Sequence, residues 1–272
     1  MTPRDVFVSG SFDNLRSRDF RFLEEAARFG DLTVLLWDDA SVRQQTGAAP
    51  SFPEAERRYF LSAVRFVNRV EIVSAPSNPD TLALGSGARP GIWVVGPGHA
   101  SDAKSRFCRD NSIELRKLRD TDLGGFPIPQ FPAPSSRKKV VVTGCYDWFH
   151  SGHVRFFEEV SAYGDLYVIV GHDRNIRLLK GEGHPLLPQE ERRYLAGSIR
   201  YVTQSLISSG DGWVDADPEI QQLKPDIYAV NEDGDKGGKR EYCERNGIEY
   251  LVLRRVPAPG LPKRSSTDLR GF

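Results

Sequence analysis

The stretch Val140-Val141-Val142-Thr143-Gly144-Cys145-Tyr146-Asp147-Trp148-Phe149-His150-Ser151-Gly152-His153 decides how this chain folds. It opens as a β-branched run suited to a buried parallel strand, breaks at a glycine, and restarts as a helix at Ser-Gly-His. A second version lies 134 residues earlier, as Val6-Phe7-Val8-Ser9-Gly10-Ser11-Phe12-Asp13-Asn14-Leu15-Arg16-Ser17-Arg18-Asp19. The correspondence continues outward. Ala26-Ala27-Arg28-Phe29-Gly30-Asp31-Leu32 parallels Val160-Ser161-Ala162-Tyr163-Gly164-Asp165-Leu166. At an offset of 135, Glu56-Arg57-Arg58-Tyr59 parallels Glu191-Arg192-Arg193-Tyr194, and Cys108-Arg109-Asp110-Asn111-Ser112-Ile113-Glu114 parallels Cys243-Glu244-Arg245-Asn246-Gly247-Ile248-Glu249. One inserted residue across half a chain is the mark of an internal duplication.

Strand and helix patterns alternate through the second copy. Lys139 to Thr143, Leu166 to Val170, Tyr201 to Ile207, Asp226 to Val230 and Glu249 to Leu253 read as strands. Helices are expected from Ser151, with Val154, Phe156, Phe157, Val160 and Tyr163 as its apolar stripe, and over 188–199, 218–223 and 236–246. One more is expected from Thr267. The fold class this implies is α/β, with two tandem Rossmann-like doubly wound parallel-sheet domains related by the duplication. The expected boundaries are a degenerate copy over 1–123, a Pro-rich linker over 124–137 and a functional copy over 138–272.

Lys plus Arg and Asp plus Glu are equal at 37 each, so no global field favours nucleic acid or an anionic membrane. No apolar run approaches the ~20 residues that span a bilayer, and the first residues lack a signal-peptide pattern. Three cysteines read as reduced thiols in a cytoplasmic protein.

Strand, glycine turn and a helix opening at Ser-Gly-His make an anion site. Free backbone N–H groups and the positive end of the helix dipole face the same way. Gly152 lets a phosphate come close to the backbone, and His150 and His153 can both turn towards it as donors. Zinc is disfavoured, since no third ligand follows at a familiar spacing.

Here the sequence resembles a family. Gly144 to His153 looks like the G-x-F-D-x-x-H-x-G-H signature of the cytidylyltransferase-like nucleotidyltransferases, with Tyr146 for the usual Phe. Arg264-Ser265-Ser266-Thr267-Asp268-Leu269-Arg270 resembles their second signature. The tandem arrangement is similar to that of ethanolamine-phosphate cytidylyltransferase, and the single domain to glycerol-3-phosphate cytidylyltransferase. The resemblance implies that His150 and His153 hold the triphosphate, that Lys180 bridges the α-phosphate and the acceptor's phosphate, and that Arg192 lies near the acceptor or the phosphates. It assigns nucleotide binding to Gly144, Cys145, Tyr146, Asp147, Gly152, Asn231, Glu232, Asp233, Arg264, Ser265, Ser266 and Thr267, and the acceptor pocket to Trp148 and Trp213. Mg²⁺ is expected on the nucleotide itself, with no all-protein metal site.

The expected reaction is transfer of CMP from CTP to a phosphorylated alcohol or sugar, releasing pyrophosphate. An adenylyltransferase acting on a sugar phosphate or nucleotide is the alternative within the superfamily, and a non-catalytic nucleotide-binding regulator the alternative outside it. An aminoacyl-tRNA synthetase is disfavoured by the neutral charge and the lack of room for an anticodon-binding domain. In the first copy Arg16, Asp19 and Thr46 stand where the second has His150, His153 and Lys180. That copy is expected to be inactive and to imitate a second subunit in an intramolecular pseudo-dimer.

Overall fold

Valine-rich runs and glycine breaks lay out the same elements twice in the computed structural model, which describes residues 4–83, 91–266 and 269. The chain divides into two units, Met1–Gly125 and Phe126–Phe272. The first unit runs β1 (Asp5–Gly10), α1 (Ser17–Ala27), β2 (Asp31–Trp37), α2 (Asp39–Thr46), α3 (Glu54–Ala63), β3 (Arg69–Val73), β4 (Ile92–Val95), α4 (Asp102–Asp110) and β5 (Glu114–Lys117). The second runs β6 (Lys139–Gly144), α5 (Ser151–Ser161), β7 (Asp165–Val170), α6 (Asp173–Lys180), α7 (Gln189–Gly197), β8 (Val202–Ile207), α8 (Asp217–Leu223), β9 (Ile227–Asn231), α9 (Lys239–Asn246) and β10 (Glu249–Leu253).

Among the described residues each unit holds one five-stranded sheet, in the orders β3-β2-β1-β4-β5 and β10-β9-β6-β7-β8. The pairings are parallel in both. These are two doubly wound sheets whose strand order reverses beside the first strand of each unit, between β1 and β4 and between β6 and β9.

The central strands explain the order. Val140, Val141 and Val142 are fully buried, and α5 lays Val154, Phe157 and Val160 over the sheet. Tyr163, expected in that stripe, is 45% exposed because α5 ends at Ser161. Gly164 follows, and a Cβ there would lie 2.0 Å from the carbonyl oxygen of Lys138. Gly30 in the first unit meets Arg4 O at 2.1 Å in the same way, so the helix-to-strand return needs glycine in both copies.

The Pro-rich segment lies along the second unit from Phe126 onward. The Phe126 carbonyl accepts from Arg193, its ring sits 6.0 Å from that of Tyr194, and Pro129 and Phe131 crowd Gly197. Farther on, Ser135 donates its N–H and hydroxyl to Asp165. Helix α6 is not among the helices expected from sequence. Its N-cap is His172, whose Nδ1 accepts from Asn175 N–H. The helix expected from Thr267 lies outside the described residues. No helix among the described residues is long and apolar enough to cross a membrane.

Candidate active site

A cavity of about 310 Å³ opens at the carboxyl ends of β6 and β9, where the strand order of the second unit reverses. Thr143 and Gly144 supply one wall and Ala229, Val230 and Asn231 another. The loop after β6 and the segment Ser265–Ser266 close it. Of the residues expected from sequence, Gly144, Cys145, Tyr146, Asp147, Trp148, Gly152, His153, Lys180, Asn231, Asp233, Ser265 and Ser266 converge on this cavity.

The loop folds as it does because Tyr146 takes a left-handed backbone, φ 55°. That conformation turns its ring back over Gly144, where a Cβ would meet the ring at 2.7 Å. The ring then packs edge-on against His153, with centroids 5.4 Å apart, and against Phe157 at 5.3 Å. Phe12 repeats the left-handed turn in the first unit, φ 44°. Asp147 is buried, and its carboxylate accepts from the backbone N–H groups of Leu186 and Leu187 at 2.8–2.9 Å. Asp13 holds Ser51 and Phe52 likewise at 2.7 and 2.9 Å. Since the first copy keeps this arrangement, the carboxylate serves to anchor the loop.

The two histidines have different places. His150 is 2% exposed and does not line the cavity. Its Nδ1 accepts from Gly152 N–H at 3.0 Å, so it is the N-cap of α5, and its ring packs on His153 with centroids 4.0 Å apart. The His153 amide is also taken, by the His150 carbonyl at 2.9 Å. The helix start is therefore less open to an anion than the sequence suggests. Gly152 is required for a nearer reason: a Cβ would strike the His150 ring at 2.8 Å. The His153 imidazole faces the cavity, its Nδ1 buried with no hydrogen-bond partner among the described residues. Burial first, then His150, Arg255 and Lys180, hold it well below the usual histidine range.

Arg192 is fully buried and away from the cavity. Its guanidinium donates to the carbonyls of Leu187, Cys145 and Gly171 and to Asp173, at 2.6–2.9 Å. Arg57 makes the matching set in the first unit, to Phe52, Ser11, Trp37 and Asp39. This arginine is a clasp that ties the loops at the strand ends together, which corrects its expected place near the phosphates. Glu232 and Trp213 also stay outside: Trp213 is 49% exposed and packs on Gly237. Arg264 lies beside the cavity, its carbonyl accepting from Arg255 at 3.0 Å. Thr267 lies outside the described residues.

The structure adds cavity residues that no motif announced: Phe156, His184, Lys239 and Arg255. Lys239 opens α9, and burial lowers the pKa of its ammonium. Arg255 pairs with Asp233 and with the Arg264 carbonyl, joining the loop after β9 to the second signature. One sequence signal pointed to Lys239. Its partner at the 135-residue offset is Lys104, so the lysine is common to both copies. Lys180, Lys239 and Arg255 thus bring three cationic side chains to a cavity that also holds Tyr146, Trp148 and Phe156. Such a cavity suits a ligand that is anionic at one end and a planar ring at the other.

Residues 141–271 match the model of the cytidylyltransferase-like family. A FAD synthase from Ferroglobus placidus is 36% identical over 120 residues, which cover 43% of this chain and 75% of that protein. One from Methanospirillum hungatei is 32% identical over 134 residues, 48% of this chain and 82% of its own. One from Pyrococcus horikoshii is 41% identical over 103 residues, 37% of this chain and 68% of its own. Among solved structures, a lipopolysaccharide core biosynthesis protein from Thermoplasma volcanium is similar at 21% identity and a TM-score of 0.37, over 47% of this chain and 98% of that one. Motifs, sheet topology and relatives agree, and the chain belongs to the cytidylyltransferase-like nucleotidyltransferases, a family of enzymes.

Proposed function

We propose that the second unit transfers AMP from ATP to a phosphomonoester of the flavin mononucleotide type, giving FAD and pyrophosphate. The observation that carries this reading is the identity to relatives named FAD synthase, 36% over 120 residues in one case. It favours ATP over the CTP expected from sequence. The cavity's mixture of cations and aromatic rings supports it, since donor and acceptor each combine phosphate with a flat heterocycle.

In this reaction an oxygen of the acceptor phosphate attacks the α-phosphorus of ATP. A new P–O–P bridge forms as the bond between the α-phosphorus and the bridging oxygen breaks, and pyrophosphate leaves with the electron pair. The nucleophile is already anionic, so no general base is needed. Catalysis reduces to positioning and charge neutralisation. In this reading Lys180, Lys239 and Arg255 neutralise the two anions as they approach. His153, neutral in the empty site, gains a proton as the charge arrives, and His150 orients it. Asn231 Oδ1, buried without a partner among the described residues, accepts from a base amino group or ribose hydroxyl. Ser265, Ser266 and Thr267 give hydroxyls to the leaving phosphates.

In this reading Mg²⁺ arrives with the triphosphate. Asp147 is engaged by backbone N–H groups and Asp233 by Arg255, and no group of three or more His, Cys, Asp or Glu among the described residues forms a metal cage. When bound, it adds charge neutralisation. Free thiols at Cys108, Cys145 and Cys243 suit a reducing cytoplasm. The first unit, in the same reading, imitates the second subunit of a dimer, and the duplication is its support.

The test is product analysis with ATP, CTP, GTP or UTP against flavin mononucleotide and simple phospho-alcohols. FAD from ATP alone is the expected result. A CDP-alcohol from CTP would restore the cytidylyl reading. Nucleotide binding with no product from any pair would point to a regulator.

A further inference from the structure

The first unit has lost the phosphate-handling residues but not the cavity. A space of about 520 Å³ lies at the carboxyl ends of β1 and β4, the same topological position as the site in the second unit. Its walls are repeat equivalents of that site: Ser9 for Thr143, Phe12 for Tyr146, Phe22 for Phe156, Val95 for Val230 and Lys104 for Lys239. Degeneration has enlarged the aromatic part, because Trp37 and Trp93 also line it.

Its charges are arranged against a phosphate. Asp19 replaces His153, and its carboxylate reaches back to the Arg16 N–H at 2.7 Å. It lines the cavity, so a phosphate there would bring two negative charges together. Lys104 is 7% exposed and donates to the Pro79 carbonyl at 3.0 Å, with its ammonium 4.6 Å from the Trp93 ring centre. Arg18 is paired with Asp120. Lys104, the counterpart of Lys239, is thus not held ready for an anion. What is left are the rings of Phe12, Phe22 and Trp37 and a polar edge of Ser11, Thr81, His99 and the Asp19 carboxylate, groups that accept hydrogen bonds from hydroxyls or donate to them.

We infer that the cavity of the first unit binds an unphosphorylated nucleoside, with the base between the aromatic walls and the sugar hydroxyls at the polar edge. It is a second ligand site that discriminates against phosphate, in contrast to the anion-binding site of the second unit. The inference does not depend on which nucleotide or acceptor the second unit uses.

Gly96 supplies the test. The nearest atoms to a Cβ there belong to His99 and Phe22, at 3.8 Å, so a side chain is accommodated at a position that lines the cavity. Equilibrium dialysis of labelled adenosine against the full chain and against Gly96→Leu compares the two stoichiometries. Wild type is expected to bind one equivalent more than the variant, with pyrophosphate release equal in both. Equal stoichiometry would overturn the inference. A second measurement does not rely on that variant: AMP is expected to bind this site at least about tenfold more weakly than adenosine, and Asp19→Asn to narrow the gap. AMP binding as tightly as adenosine in wild type would also overturn it.

Discussion

Burial keeps the His153 imidazole neutral, and that has consequences for both stability and binding. Its folded pKa lies below the unfolded value of about 6.5, so the unfolded chain takes up the proton first as pH falls. The stability this residue contributes is present above about pH 6.5 and declines below it by up to roughly 1.4 kcal/mol per pH unit. Thermal unfolding of the nucleotide-free chain should therefore weaken between neutral and mildly acid pH, and His153→Gln should remove that part of the slope. A triphosphate beside His153 raises its pKa again, so nucleotide binding should take up a proton. Calorimetry in buffers of different ionisation enthalpy checks this. Lys239→Ala is expected to lower kcat/KM by roughly 10–100-fold, while Lys104→Ala changes it by less than about twofold. His153 was legible as a cavity residue because it follows a glycine at a helix start, whereas His150 proved to be the N-cap of that helix. Lys239 was marked only by its persistence as Lys104, and Arg255 by nothing, since only the folding of the segment after β10 brings it to the cavity.

At the scale of the element, two clasps organise each unit. Arg192 and Asp147 in the second, Arg57 and Asp13 in the first, hold the loops that leave the strand ends. Asp147→Ala strands the Leu186 and Leu187 N–H groups and should cost about 1–3 kcal/mol in chemical denaturation. It should also reduce turnover, because the loop it anchors follows Lys180 directly. Asp13→Ala should destabilise the first unit by a similar amount and leave turnover intact. The arginine was misread from family resemblance, although its persistence as Arg57 was a visible sign of a structural task. Strands were legible wherever valines met a glycine, as at Val140 to Gly144. Helix α6 was not, because it is only eight residues long and mostly polar, with Asn175 and Ile176 its buried residues.

Across the whole molecule, duplication separates what the fold needs from what the chemistry needs. Gly30 and Gly164, Asp13 and Asp147, and Arg57 and Arg192 are kept in both copies and do structural work in both. His153 and Lys180 are kept in one, and both line its cavity. The comparison of copies is written in the sequence, where the family signature is complete only in the second copy. The identity of the acceptor was not available there, because the aromatic side chains of the cavity, Tyr146, Trp148 and Phe156, are brought together only by folding. Pyrophosphate release by three full-length chains under one set of conditions bears on the central claim most directly: wild type, His153→Ala and Asp19→Ala, each with ATP and flavin mononucleotide. A loss of at least about 100-fold in His153→Ala, with Asp19→Ala within about twofold of wild type, is the predicted result. Wild-type rates in His153→Ala, or a collapse in Asp19→Ala, would contradict it.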